Sequence, residues 1–153
     1  MFTLDTKIPA PVIGAFVAAA MWGVSPLGPQ FSVAPVLAYG ATALFALAGL
    51  SFDVLGLSVF RKMRSTVNPL KPQRSTALVT CGVYRVTRNP MYVGMALLLL
   101  AWAMYLSALL PFVGPAIFVA YITRFQIRPE ERILKGLFGA EYLAYTAGVR
   151  RWR

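Results

Sequence analysis

The sequence predicts an all-α integral membrane protein with about four transmembrane helices, the last two forming a hairpin. Three observations carry this reading. The 153 residues are 58% hydrophobic with a mean hydropathy of +0.65, more apolar than an ordinary soluble domain. Between Ile8 and Phe60 the only charged residue is Asp53, and residues 89–123 carry no charge. Each crossing needs about 20 apolar residues, and a chain this small has too little interior to bury both runs away from water. Finally, the net charge of +10 is gathered into two clusters, each beside an apolar run. That is the pattern of cytoplasmic loops facing anionic lipid, not of a nucleic-acid surface.

Segment one runs from about Pro9 to Leu27 and ends at the breakers in SPLGP, residues 25–29. Segment two runs from about Val33 to Phe60, long enough to span with tilt. RKMRSTVNPLKPQRST (61–76) is a basic, proline-containing loop. Segment three starts near Pro90, with Pro at the first helical position, and continues to about Leu110. PFVGP (111–115) supplies a turn, and segment four runs from about Phe112 to Ile127. The uncharged stretch 89–123 is too long for one crossing, so a helical hairpin accounts for it. The tail RPEERILKGLFGAEYLAYTAG reads as interfacial helix. Pro129 suits a first helical position and Glu130 and Glu131 an acidic first turn. Leu134, Leu137, Phe138, Tyr142 and Tyr145 form one apolar stripe, with Gly136 and Gly139 as expected breaks.

The turns near residues 28 and 111 carry no charge. The 61–88 loop carries Arg61, Lys62, Arg64, Lys71, Arg74, Arg85 and Arg88. The tail carries Arg124, Arg128, Arg132, Lys135, Arg150, Arg151 and Arg153. Four crossings then place the N-terminus, the 61–88 loop and the tail together on the cytoplasmic side. Trp22, Trp102 and Tyr105 fall toward the far ends of their helices, as an aromatic belt would. The start, MFTLDTKIP, does not read as a signal peptide, because its one Lys is balanced by Asp and prolines precede the apolar run.

Cys81 is the only cysteine and there is no histidine. A Cys/His metal site and a histidine base are thereby excluded, and no metal is expected. Neither G-x-G-x-x-G nor G-x-x-x-x-G-K-[ST] occurs. The candidates for chemistry are Tyr84, Arg85, Arg88, Asn89 and Tyr92 before segment three, and Arg124, Arg128, Glu130 and Glu131 after segment four. The hairpin brings these groups to one edge, where polar side chains against apolar helices make a pocket for an amphiphile. Each has a plainer role to weigh: arginines that hold topology, glutamates that complement a helix dipole, Asn-Pro that starts a helix. Asp53, an ionisable residue inside a membrane segment, is a functional candidate by position. Its nearness to Arg61 and Lys62 favours an interfacial Asp satisfied by a basic neighbour.

LVTCGVYRVTRNPMYVG (78–94), followed by a hydrophobic hairpin and then by EERILKGLFGAEYLAYTAGVRRW (130–152), resembles the isoprenylcysteine carboxyl methyltransferase family. That family stands with the phospholipid methyltransferases and related small membrane methyltransferases. The resemblance covers about residues 74–152, and its two linked motifs occur in the right order and separation. It implies one membrane methyltransferase domain, 1–153, in which 1–60 supply the first two transmembrane helices and 74–153 the cofactor-binding core. It also implies S-adenosylmethionine as methyl donor, held in a cytoplasmic pocket over the last two helices.

Carried over by position, the donor site is lined by Thr76, Leu78, Val79, Gly82, Tyr84, Asn89, Pro90, Tyr92, Glu130 and Glu131. Glu131, Arg128 and Arg124 are the implied catalytic set, with Glu131 on the cationic donor and the arginines orienting an anionic acceptor. Eukaryotic members carry His where this chain has Thr76, and His-Pro where it has Asn89-Pro90, whereas phospholipid methyltransferases resemble it at Asn-Pro. Methyl transfer from a sulfonium is an in-line displacement that needs alignment more than acid–base help, and a carboxylate nucleophile needs no base at neutral pH. For an amine or thiol, Glu131 is the nearest base. The closest analogy is carboxylate O-methylation of an isoprenylcysteine-like acceptor, entering sideways from the bilayer. Phospholipid N-methylation is the alternative. A nicotinamide-dependent reductase related to sterol reductases needs more helices than this length allows. A small exporter needs an ionisable residue in segment one, which has none.

Overall fold

The computed structural model describes residues 8–62 and 78–152. Among them the chain forms helices and turns and no strand. Helix α1 spans Ala10–Val24, α2 Pro35–Lys62, α3 Pro90–Leu106, α4 Val113–Ile122 and α5 Arg128–Gly148, with a π-helical turn at Thr123–Ile127 joining the last two. Three stretches are long and apolar enough to cross a membrane: Ala10–Leu27, Pro35–Val59 and Leu110–Gly148. At 17 residues, α3 is shorter and sits at the lower limit for a crossing. Leu110–Gly148 is 39 residues, far more than one crossing needs. Its uncharged part ends at Thr123, with Arg124 next and further charges from Arg128 onward, so only its first part has the composition of a crossing.

Helix α3 is the axis of the fold. One face packs along α2, where Gly49 and Gly56 let the backbones close up. A Cβ on Gly49 would lie 2.7 Å from the Gly94 carbonyl oxygen, and one on Gly56 would lie 3.0 Å from Met91 Cγ. The other face meets α1 and α4 in a core of Ala10, Met21, Tyr92, Leu99, Ala103, Phe118, Ile122 and Ile127. Trp102 Nε1 donates to the Ala18 carbonyl at 3.1 Å, tying α3 to α1, and its ring stacks on Tyr105. The outward faces stay apolar: Phe16 is 76% and Val36 81% exposed, in company with Trp22, Leu44 and Leu47. In water such surface would collapse, but in hydrocarbon it is the ordinary covering of a spanning helix.

The two charge-free turns meet. Phe31 N donates to Ser107 O at 3.1 Å and Leu109 N to Pro29 O at 3.0 Å. This contact also ends α3 at Leu106 rather than near Leu110: Ser107 takes a left-handed conformation (φ 50), which no residue preference at Ser107 foretells. At the opposite end, segment four does not stop and restart at Pro129. The π turn carries the chain into α5 without a break. Pro129 has no N–H for the Phe125 carbonyl, and a local widening of the helix is a usual answer to that loss. Of the two glycines expected to break the tail, Gly139 does so (φ 49, ψ −118) and Gly136 stays helical. The expected single apolar stripe is therefore bent. Tyr142 beyond the kink is buried, while Leu137 before it stays 48% exposed.

Asp53 departs from expectation. Its carboxyl is turned onto α3 at Gly94, and Oδ1 is buried with no hydrogen-bond partner among the described residues. Arg61 and Lys62 lie about 12 Å further along the axis, at ~1.5 Å per residue, too far for an ion pair.

Candidate active site

The site forms where the start of α3 meets the start of α5. Proline at its first position leaves α3 one fewer N–H to satisfy. The Asn89 side chain makes no cap there and turns instead to the C-terminal strap. Asn89 Nδ2 and Thr87 Oγ1 both donate to the Arg151 carbonyl, each at 3.0 Å. Asn89 N donates to Thr87 Oγ1 at 3.2 Å, and Arg88 N to the Arg150 carbonyl at 3.0 Å. Trp152 then packs against the core between α1, α3 and α4. Residues 87–89 and 150–152 are thus laced together beside the acidic pair.

The two glutamates have different surroundings. Tyr92, buried in α3, donates its hydroxyl to Glu130 Oε1 at 2.7 Å. Burial pushes the Glu130 carboxyl up to about 7; Tyr92 pulls it back and Glu131 adds to the rise. Glu131 is held by cations. Arg151 Nε and Nη2 donate to its two oxygens at 2.9 and 2.6 Å, a bidentate grip, and Arg88 Nη1 lies 3.3 Å from Oε1. Arg88 Nε is itself buried with no hydrogen-bond partner among the described residues.

Tyr84 is buried in the short turn Gly82–Arg85. Its phenol is shifted upward by burial, with Tyr145 and Glu130 adding to the rise, and its carbonyl accepts from Tyr145 Oη at 2.7 Å. Gly82 has φ +60, and Val59 of α2 lies 2.9 Å from where its Cβ would be. Only glycine serves there.

Beside this floor opens a cavity of about 690 Å³ lined by Arg88, Arg124, Arg128, Glu131, Arg132, Lys135, Tyr142, Leu143, Thr146 and Arg151. The kink at Gly139 makes it, by turning the last part of α5 back toward the start of the same helix. Of the expected site residues, Glu131, Arg124 and Arg128 line this cavity, while Tyr92 and Glu130 are joined beside it and Asn89 is tied to the strap. Leu78, Val79, Gly82, Tyr84, Asn89, Pro90, Tyr92 and Glu130 do not line the cavity itself; Val79 is buried. Thr76 lies outside the described residues. The sequence reading missed Arg151, Thr87, Tyr145 and Lys135. For Arg151 the one signal is the VRRW end, a basic pair just past the helix stop at Gly148.

The model of the phospholipid methyltransferase family matches residues 37–141. The chain belongs to the phospholipid methyltransferase family. The match takes in α2, α3, α4 and the first part of α5, so the floor residues from Tyr84 to Glu131 all lie within it. An uncharacterized protein of Haemophilus influenzae is 45% identical over 62 residues, which are 98% of that protein and 40% of this chain. No solved structure matches. Membership of this methyltransferase family, with the long apolar helices, makes the chain a membrane methyltransferase. Among the described residues no group of His, Cys, Asp and Glu is placed to hold a metal.

Proposed function

We propose that the chain methylates a lipophilic or small acceptor at the cytoplasmic edge of the bilayer, with S-adenosylmethionine as donor. One observation supports this most: the buried phenols of Tyr84 and Tyr92 lie with the half-buried Glu130 carboxyl, to which Tyr92 donates, beside Glu131, inside the family's own span. The residues present fit the donor. Its sulfonium and ammonium suit a buried carboxylate among aromatic rings, and its carboxylate suits the unpartnered Nε of Arg88. When bound, S-adenosylmethionine supplies a methyl group on a good leaving group. Everything else falls to the chain. Tyr92 orients Glu130, Arg151 holds Glu131, and the helix walls keep water from the reacting methyl.

The acceptor reading turns on the proton. A carboxylate acceptor, as in isoprenylcysteine methylation, needs no base. An amine arrives protonated and must lose H⁺ before its lone pair can attack. The family match favours the amine of a phospholipid headgroup. Both oxygens of Glu131 are engaged by Arg151, whereas Glu130, pushed up to about 7, is matched to proton transfer near neutral pH. We therefore assign to the ionised Glu130 both contact with the cationic donor and proton acceptance from the amine, and to Glu131, gripped by Arg151, the fastening of the strap. Arg124 and Arg128 face the anionic part of the acceptor. The test is to incubate membranes containing the protein with methyl-labelled donor and to identify the labelled product. Label in a lipid amine supports the reading. Label in a carboxyl ester returns the assignment to the isoprenylcysteine-type reaction, and no label above a Glu130→Gln control refutes both.

A further inference from the structure

Gln126 is a polar residue that the proposed transfer does not use. It lies in the π turn between α4 and α5 and is 2% exposed. Its Nε2 donates to the carbonyl of Ile8, in the non-helical entry to α1 at the edge of the bundle. That bond fixes the amide's orientation, because an amide oxygen cannot donate to another carbonyl. Oε1 is buried with no hydrogen-bond partner among the described residues. Leaving a buried acceptor unserved is costly, and such a group in a native fold calls for an explanation. The helix register sets it next to the reacting groups. An α-helix has about 3.6 residues per turn, so a four-residue spacing drifts around its axis; the π turn, with i→i+5 bonds, takes up that drift. Phe118, Ile122, Gln126 and Glu130 therefore follow one another along a single face. The first three are 0%, 0% and 2% exposed, and the fourth is the carboxyl that meets Tyr92. Gln126 stands one turn from Glu130 toward the uncharged run that ends at Thr123, the side from which a lipid arrives.

We propose that Gln126 is a specificity-determining residue: its Oε1 accepts a hydrogen bond from the amine of the lipid acceptor and so limits how many methyl groups the nitrogen receives. This rests on the amine reading given above. A primary ammonium has three N–H groups. One proton passes to Glu130, and Gln126 holds a second N–H. The freed lone pair forms the new N–C bond as the donor's C–S bond breaks, with that bond's electrons left on sulfur. Positive charge grows on the nitrogen meanwhile, so the N–H bond to Gln126 strengthens in the transition state. After one methylation the ammonium keeps two N–H groups, and both residues are served. After two it keeps one, which Glu130 takes, and the Gln126 oxygen is orphaned beside a methyl group. A site built to hydrogen-bond its substrate rejects an analogue lacking that group far more strongly than an apolar pocket rejects a change of size. The expected main product is the dimethylated amine, with the third transfer slow.

The test is calorimetry in neutral detergent, with the protein first titrated with S-adenosylhomocysteine and then with short-chain phosphatidylethanolamine or its N-methyl or N,N-dimethyl derivative. The first two lipids are expected to bind the wild type within about threefold of each other and the dimethyl lipid at least tenfold more weakly. Equal binding of all three means that water serves the Gln126 oxygen, and it overturns the proposal without recourse to any variant. Gln126→Met keeps the length of the side chain and suits an otherwise apolar face, so it is expected to fold. It should bring the three lipids within about threefold of one another while leaving S-adenosylhomocysteine affinity within about twofold of wild type. A variant that keeps the tenfold step overturns the proposal, and one that loses S-adenosylhomocysteine instead assigns Gln126 to the donor and overturns it too. With methyl-labelled donor, the wild type is expected to form trimethylated lipid at least tenfold more slowly than dimethylated lipid, and Gln126→Met to narrow that ratio. Absence of S-adenosylhomocysteine binding by the wild type sinks the methyltransferase reading and this proposal with it, whereas donor-product binding without the step between monomethyl and dimethyl lipid sinks this proposal alone.

Discussion

Arg151→Ala should loosen the whole strap. Arg151 makes two charge-assisted hydrogen bonds to Glu131, at 2.9 and 2.6 Å. Each such bond is worth about 1.5–3 kcal/mol when buried. The side chains here are 32% and 20% exposed, and exposed pairs contribute only about 0–1 kcal/mol. Arg88, 3.3 Å from the same carboxylate, keeps Glu131 from being orphaned. The Arg151 carbonyl, which accepts from Thr87 and Asn89, survives the substitution. The net loss is therefore about 1–2 kcal/mol, a drop of roughly 2–8 °C in Tm for a chain of this length. Thermal unfolding in detergent reads it. Arg151→Lys, which keeps the charge but not the fork, should lose about half as much. A double-mutant cycle with Glu131→Gln should give a coupling of about 1 kcal/mol that shrinks in high salt. A coupling within about 0.3 kcal/mol of zero would refute the claim that this pair fastens the strap to the acidic pair.

Three further outcomes are expected. Gly136→Ala should raise stability by about 0.5–1 kcal/mol, since the site is helical with open space around it; Gly139→Ala should lower it by about 1–2 kcal/mol, because φ is +49, and paired melts compare the two. Gly94→Ala should lower Tm through a cost of about 1–3 kcal/mol, because a Cβ would lie 2.7 Å from the Gly49 carbonyl oxygen and also strike Asp53; an unchanged melt would contradict the close α2–α3 packing. Donor affinity should fall about tenfold from pH 8 to pH 6, because Glu130, pushed up to about 7, must be ionised to hold a cation; Glu130→Gln should flatten that profile. The sign for folding is opposite. A carboxyl raised above 4.5 favours the folded state at low pH, and that contribution is lost as pH rises from 4.5 to 7.

The architecture was legible because hydrocarbon imposes a simple rule: long uncharged runs and basic loops are visible without any contact information. The convergence of Tyr84–Tyr92 with Glu130–Glu131 followed from the hairpin alone. The different fates of the two glutamates did not, because adjacent residues on a helix face different neighbours and only packing decides which meets Tyr92 and which meets Arg151. Arg151 was hidden for a similar reason. It is one of fourteen basic residues in the two clusters, and its grip on Glu131 depends on a chain reversal at Gly139 and a strap formed by backbone carbonyls. Asn89 read as a site residue and as a helix start; its side chain instead serves the strap. Asp53 read as an ion-paired edge residue, yet the Gly94 backbone gives its carboxyl a place to turn inward.

The central claim, that the α3–α5 junction is a methyl-donor site, is tested most directly by calorimetric titration of S-adenosylhomocysteine and, separately, NADPH into the purified protein and its Glu130→Gln and Tyr92→Phe variants. The account predicts saturable binding of the first ligand to the wild type, weakened in both variants, and none of the second. Saturable NADPH binding, or S-adenosylhomocysteine binding that both variants leave untouched, would contradict it.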